Sequence, residues 1–442
     1  MPDDFRYKNS MKLFREASHF LPGGSNSSPR LWRGVCPSNM PCAIFAEKAK
    51  GAYIWDVDGN KYIDYRLGFG PVLLGHSHPA VRKAVHRAEK RGQIFALNNE
   101  LEITVAKKII SMIPCAEKVR FANSGTEATM ATVRVARGYT KKDKIVKFAG
   151  HYHGTNDYLL FSTEPPFGWP TSRPLASSLG IPSLLKDLII IEEWNNFQSI
   201  EQTLRKHHKE IAAIICEPVM GNATVIPPAA GYLRHLRELC DRYDVLLIFD
   251  EVKTGFRLAP GGAQQYFKVT PDLAAFAKSL GNGYPIAAIA GQAHFMDIIG
   301  AKKVYHGGTY SSNPISLTAA SATLDILRKG DVYEKIGSYG SRMIQGIAKL
   351  FRDYKIPGLV QGFPGMFQFL FIDHDVKTYN DLKDADMQQF ATLHTHLLQH
   401  GVMLDEDNEE PIFISASHSN NDLHHTLEAI AHGFSQMNLK RR

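Results

Sequence analysis

Between residues 76 and 325, short apolar runs of strand length alternate with amphipathic helical stretches: "VRFANSG" then "TEATMATVRVARGY", "KIVKFAG", "EIAAIICEP" then "GYLRHLRELCDRY", and "VLLIFDEV". These runs are continuously apolar, so both faces of each strand must be buried. That pattern predicts an α/β domain with a mainly parallel sheet covered by helices on both sides. At 442 residues the chain has length left for a smaller α+β domain beside it. Residues 1–75 offer a helix, "MKLFREASHF", and strand candidates "AIFA", "AYIWDVDG" and "KYIDY", divided by Asp-Gly and Gly-Asn turn signals. They are expected to form an N-terminal arm and small sheet that belongs to the small domain and the substrate pocket. Residues 326–442 mix helices, "EKIGSYGSRMIQGIAKLFRDY" and "ADMQQFATLHTHLLQHG", with strand candidates "MFQFLFI" and "EEPIFISAS". This segment is expected to complete the α+β small domain.

Charge and cysteine content exclude several classes. The formal charge of +7 is modest for the length, and basic residues alternate with acids in segments such as "AVRKAVHRAEKRG" (80–92). A solvated helix face explains that better than a nucleic-acid footprint. No apolar run approaches the roughly 20 residues that cross a bilayer, and "MPDDFRYKNS" lacks the pattern of a signal peptide. No membrane partner and a cytoplasmic location are therefore expected. Five cysteines (Cys36, Cys42, Cys115, Cys216, Cys240) show no CxxC spacing, so free thiols are expected rather than disulfides or zinc.

In a parallel α/β sheet the ligand site lies beyond the carboxyl ends of the strands, so the polar residues that follow apolar runs are the candidates. Ser124, Gly125 and Thr126 stand where a strand meets a helix. There, free amides, hydroxyls and the helix dipole could hold a phosphate, or the serine could simply cap the helix. Asp250 ends an apolar strand, where a carboxylate needs a cation, as either a structural ion pair or a ligand group. Lys278 follows "DLAAFA". Buried, its amine would be partly neutral and able to form a Schiff base; snorkelling to solvent is the alternative. Phosphate cradle, acid and lysine on one sheet edge together match the needs of pyridoxal 5'-phosphate. Tyr152 could stack on its ring. His151 and His153, without acids or cysteines nearby in sequence, do not make a metal site, and no metal is expected.

The chain also resembles the class III aminotransferases of pyridoxal-phosphate fold type I, in the glutamate-1-semialdehyde aminomutase-like branch. The resemblance rests on "LPGGSNSSPR", "GAYIWDVDGNKYIDY", "GPVLLGHSHPAV", "NSGTEATMATVRVARGYT", "YHG", "CEPVMGN", "LLIFDEVKTGFR", "PDLAAFAKSLGNGYPIAA" and "GGTYSSNPIS". It implies that Lys278 is the Schiff-base lysine and proton shuttle, and that Asp250 partners the pyridine nitrogen. Val252 would pack under the ring and Tyr152 over it, with Gly125 and Thr126 cradling the phosphate. Glu217 would lie near cofactor and substrate. Thr309 would reach the phosphate of a neighbouring subunit's cofactor, which makes a homodimer with a shared active site the expected unit. Arg30 falls where the aminomutases bind a substrate carboxylate, and Glu410 falls near a glutamate of their site.

Two departures from the aminomutase pattern direct the expected activity. Gly68 and Phe69 replace a serine-tryptophan pair, and the loop "LLFSTEPPFGWPTSRPLASSLGIP" carries bulky residues where the aminomutases have a glycine-rich gate. An aminomutase must retain its intermediate, whereas an aminotransferase must release a keto product and admit a second substrate. The expectation is therefore a ping-pong aminotransferase taking an amine donor, such as an α- or β-amino acid, and a keto acceptor. Phe69, Phe167 and Trp169 would line an aromatic pocket. The alternatives are glutamate-1-semialdehyde 2,1-aminomutase and a non-catalytic binding module.

Overall fold

The computed structural model describes residues 6–31, 43–300 and 303–441. Its strands in chain order are β1 (Ala46–Lys50), β2 (Tyr53–Asp56), β3 (Lys61–Asp64), β4 (Lys118–Ala122), β5 (Lys144–Phe148), β6 (Ile189–Glu192), β7 (Ile211–Cys216), β8 (Leu246–Asp250), β9 (Leu273–Phe276), β10 (Ala287–Gly291), β11 (Leu359–Phe363), β12 (Met366–Leu370), β13 (Val402–Met403) and β14 (Ile412–Phe413). Seven of them make the central sheet, in the order β4-β10-β9-β8-β7-β5-β6. Only β10 runs antiparallel to its neighbours within it, so the other six strands end on the same edge.

The continuous apolar runs have the consequence expected of them. In β7 and β8 every residue is buried. Ile214, Cys216, Leu247 and Phe249 enter one core, and Ala213, Ile215, Leu246 and Ile248 enter another. The two cores lie on opposite faces, as the period of two requires. The second contains the helix Gly125–Thr140, through Ala128, Ala131, Val135 and Ala136.

The remaining strands form two smaller sheets. β1, β2 and β3 are antiparallel, and β13 joins β3 in parallel, pairing Val402 with Ile63. β11, β12 and β14 form the other. "AIFA" overlaps the first strand only at Ala46; pairing with β2 shifts the strand to Ala46–Lys50. "EEPIFISAS" supplies only the two residues of β14.

One buried cation joins these parts. Arg257 donates to the carbonyls of Gly365 (2.9 Å), Ile414 (3.2 Å) and Gly70. Burial lowers its pKa to about 9. A guanidinium satisfied by backbone carbonyls couples the segment before "PVLLG" to both ends of the smaller sheet.

Candidate active site

Asp250, the last residue of β8, is buried. Its Oδ1 accepts from the Val252 amide at 3.1 Å, and its Oδ2 lies 2.7 Å from Nδ1 of His153. Burial raises the Asp250 pKa to about 7, against the opposing effects of the Val252 amide, Lys278 and Lys253. His153 is itself fully enclosed, and burial followed by the charge of Lys147 holds its pKa well below the ordinary value. The imidazole is therefore neutral, and its Nδ1–H orients the carboxylate rather than neutralising it. The position of His153 is fixed through its backbone, whose carbonyl accepts from Thr129 Oγ1 at 2.7 Å.

Glu217, directly after β7, is also buried. It accepts from the amides of Tyr152 (2.9 Å) and Gly221 (3.1 Å), and burial lifts its pKa to about 7. It thereby fixes the backbone that presents Tyr152. His151 Nδ1 in turn accepts from the Glu217 amide at 3.0 Å. Lys147 of β5 reaches across the same layer to the carbonyls of His151 (2.9 Å) and Phe161.

Lys278 stands two residues beyond β9 with φ of 42°, in the left-handed region. For a non-glycine residue this costs on the order of 1 kcal/mol and is a recurring feature of functional sites. The turn that follows is anchored by Asn282, whose Oδ1 accepts from Leu74 N (2.8 Å) and whose amide reaches Gly75 O (3.3 Å). Burial, with Lys253 as the next cause, lowers the Lys278 pKa to about 7. Of the two environments open from sequence, burial is the one realised.

Lys278 faces a cavity of ≈ 320 Å³ that Tyr152, Phe69, Lys253 and Glu410 also line. Lys253 Nζ donates to Glu410 Oε2 at 2.8 Å and to Gly221 O at 2.5 Å. The wall formed by residues 405–410 is acidic, and Arg66 pairs with Asp405 (2.8 Å) and Glu406 (3.4 Å) in it.

Ser124 is the N-cap of the helix Gly125–Thr140, its Oγ accepting from Glu127 N at 3.2 Å. The hydroxyl proton and the amides of Gly125 and Thr126, which precede the first intrahelical bond, remain for a ligand. Close packing shapes this corner. A Cβ on Gly125 would come within 3.0 Å of Val252, and one on Gly154 within 2.3 Å of Thr126 Oγ1.

Other expected residues lie elsewhere. Arg30 is exposed and lines an adjoining recess of ≈ 250 Å³, which shares Gly68, Phe69 and Glu406 with the Lys278 cavity. Thr309 is exposed in a different recess, beside Leu97, Asn99 and Asn313, and is not brought to Lys278 within the chain. Phe167 and Trp169 do not line the cavity. The Phe167 ring packs 5.3 Å from that of Tyr379, and Trp169 Nε1 donates to Arg173 O at 2.7 Å. Phe167 and Gly168 pack on the Tyr379–Asn380 segment and Trp169 on its own loop, so only Phe69 of the expected aromatic pocket is in place. No role for Lys253, and no contact between His153 and Asp250, is expected from the sequence. The signal for Lys253 was its place three residues after Asp250.

Residues 35–433 match the model of the family described as aminotransferase class-III. The chain belongs to this family. Among curated relatives, a glutamate-1-semialdehyde 2,1-aminomutase of Methanothermobacter thermautotrophicus is 42% identical over 95% of this chain and 97% of its own. One of Persephonella marina is 38% identical over 98% of this chain and 100% of its own. Among solved structures, an omega-transaminase from Sphaerobacter thermophilus superposes with a TM-score of 0.90 at 28% identity, covering 97% of both chains.

The aminomutase relatives overturn the aminotransferase expectation, because end-to-end identity near 40% links this class III chain to enzymes of the isomerase name. The physical reason lies in the loop: Phe167 and Trp169, whose bulk argued against an aminomutase gate, contribute nothing to the cavity wall.

The geometry of this class III chain fits pyridoxal 5'-phosphate. A buried carboxylate at Asp250 is paired, among the described residues, with a neutral imidazole, which leaves its charge for a cationic ring nitrogen. The helix start at Gly125 packs so closely on Val252 that a Cβ there would come within 3.0 Å of it, which leaves glycine as the residue that fits this corner.

Proposed function

We propose that the protein is a glutamate-1-semialdehyde 2,1-aminomutase: an isomerase that turns 4-amino-5-oxopentanoate into 5-amino-4-oxopentanoate, with no external amine donor or acceptor. The observation that carries this reading is the full-length identity to enzymes of that name. The arrangement around Lys278 supplies what the reaction needs.

The cofactor is pyridoxal 5'-phosphate, which when bound supplies an aldehyde that condenses with amines and a ring that accepts the electron pair of a neighbouring carbon. Asp250 would meet the ring nitrogen, held in register by His153. Gly125, Thr126 and the head of their helix would hold the phosphate. Val252 and Tyr152 would bound the two faces of the ring. Lys278 Nζ, with a pKa brought down to about 7 by burial, is partly neutral near neutrality. It can therefore act first as a nucleophile and then as a base that takes a proton from one carbon and returns it to another. Arg30 would hold the substrate carboxylate from the adjoining recess that shares Gly68, Phe69 and Glu406 with the cavity. Glu410, tied to Lys253, would keep a fixed negative charge near the migrating nitrogen.

A homodimer with a shared active site is part of this proposal. What supports it is the separation of Thr309 from Lys278 within the chain, and the exposed Leu97, Tyr305 and Tyr310 close to Thr309 in the chain or its recess. Sedimentation of the purified protein at twice the chain mass is the expected result.

The activity test uses the purified enzyme with glutamate-1-semialdehyde alone. We expect complete conversion to the aminoketone, detected by its pyrrole condensation product. Turnover that requires an added keto acid, or release of a dicarbonyl product without isomerisation, would overturn the proposal.

A further inference from the structure

A second cluster of chemistry-bearing side chains lies away from the cavity, between two C-terminal helices. His396 belongs to the helix Met387–Gln399, His400 follows that helix directly, and His432 stands on the facing helix Asn420–Arg441. One ring nitrogen from each of the three lies within 4.8 Å of the others. His396 is half-buried, and His400 and His432 are exposed.

The sequence builds this arrangement in two ways. The i, i+4 spacing of His396 and His400 stacks their rings on one face, with centroids 4.0 Å apart. Gly433 then lets the second helix come close: a Cβ there would lie 2.5 Å from Leu393 and 3.1 Å from the His396 ring. The neighbouring His432 is thereby set against His396.

We propose that His396, His400 and His432 bind one divalent transition-metal ion of the zinc type, which clamps the two helices together. Two imidazole nitrogens on a tetrahedral zinc, each about 2.05 Å from the ion, stand about 3.3 Å apart. His396 Nε2 and His432 Nδ1 are separated by 3.3 Å. Backbone groups orient the ligands from behind, as in built metal sites. His400 Nδ1 lies 2.8 Å from the His396 carbonyl, which fixes its tautomer and leaves Nε2 as donor atom. The His400 carbonyl is itself held by His425 Nε2 at 2.7 Å. Three imidazoles leave a fourth position for water. Imidazole-only ligation selects zinc, copper, nickel or cobalt over magnesium or calcium.

The test uses full-length, tag-free enzyme loaded with its cofactor, stripped of metals by a chelator and dialysed against Zn²⁺. We expect one zinc per chain by elemental analysis, and Co²⁺ substitution giving the visible bands of a nitrogen-ligated four-coordinate site. His432→Gln should weaken zinc binding by at least about 10-fold. The double variant H400A/H432A should retain none, with turnover and cofactor absorbance unchanged. Less than one zinc per chain in the parent at saturation, or equal zinc in parent and double variant, overturns the proposal.

Discussion

His153 Nδ1 lies 2.7 Å from Asp250 Oδ2, with both side chains out of reach of water. Because the imidazole is neutral, this contact aims the carboxylate without cancelling its charge. His153→Ala should leave a buried carboxylate short of one donor, a loss of roughly 1–3 kcal/mol. We expect cofactor affinity to fall about 10- to 100-fold, measured by equilibrium dialysis of the cofactor. Asp250→Asn should be harsher, retaining the fold but losing turnover.

Gly125→Ala separates helix stability from cofactor binding. Alanine favours helix over glycine by about 1 kcal/mol, so the helix itself should not suffer. The added methyl meets Val252 at 3.0 Å and pushes it toward the space of the ring. Unchanged circular dichroism with cofactor affinity at least about 10-fold weaker is the expected result; an unchanged affinity would show that Val252 does not bound the site.

Lys278 carries a pH signature in the cofactor-free protein. Its pKa falls from an ordinary 10.5 to about 7 on folding, because burial disfavours the charged amine. Between those values the unfolded chain binds the extra proton, so the folded state gains stability as pH rises. Lys278→Met removes the cost of burying the charge. The variant should be about 2–4 kcal/mol more stable than its parent at pH 7 by urea denaturation, and the difference should close toward pH 10.

The Lys253–Glu410 contact, 2.8 Å long beside the cavity, should behave as a coupled pair. Lys253→Met leaves the carboxylate uncompensated in a poorly solvated place, and a loss of about 2–4 kcal/mol is expected. Adding Glu410→Gln should restore part of it. A double-mutant cycle with a coupling energy of at least about 1 kcal/mol checks this, and additive losses would mean the two residues act independently.

What was legible in the sequence follows from how far along the chain each signal reaches. Asp250 and Lys278 could be picked out because a polar residue after an apolar strand is a local pattern, whereas Glu217 was marked only by the family resemblance. β10 was harder, since "AAIAG" has small residues and a glycine, weak formers of strand outside the sheet that encloses them. The pairing of His153 with Asp250 joins residues 97 positions apart, and no local pattern records it. Phe167 and Trp169 show the opposite error. Their size was evident, but which way a long loop turns depends on partners such as Tyr379 and Arg173, and that direction keeps both out of the cavity wall.

The parallel pairing of β13 with β3 sets an order of events for a chain being made on the ribosome. Arg66, two residues past β3, meets Asp405, two residues past β13, across 339 positions. At roughly 5–20 residues per second, the first strands wait on the order of tens of seconds for the segment that completes their sheet. Until then the half of the cavity wall that holds Phe69 has no counterpart bearing Glu410. The substrate site is therefore among the last parts of the molecule to exist, and loss of the C-terminal hundred or so residues would unmake a sheet begun near residue 46.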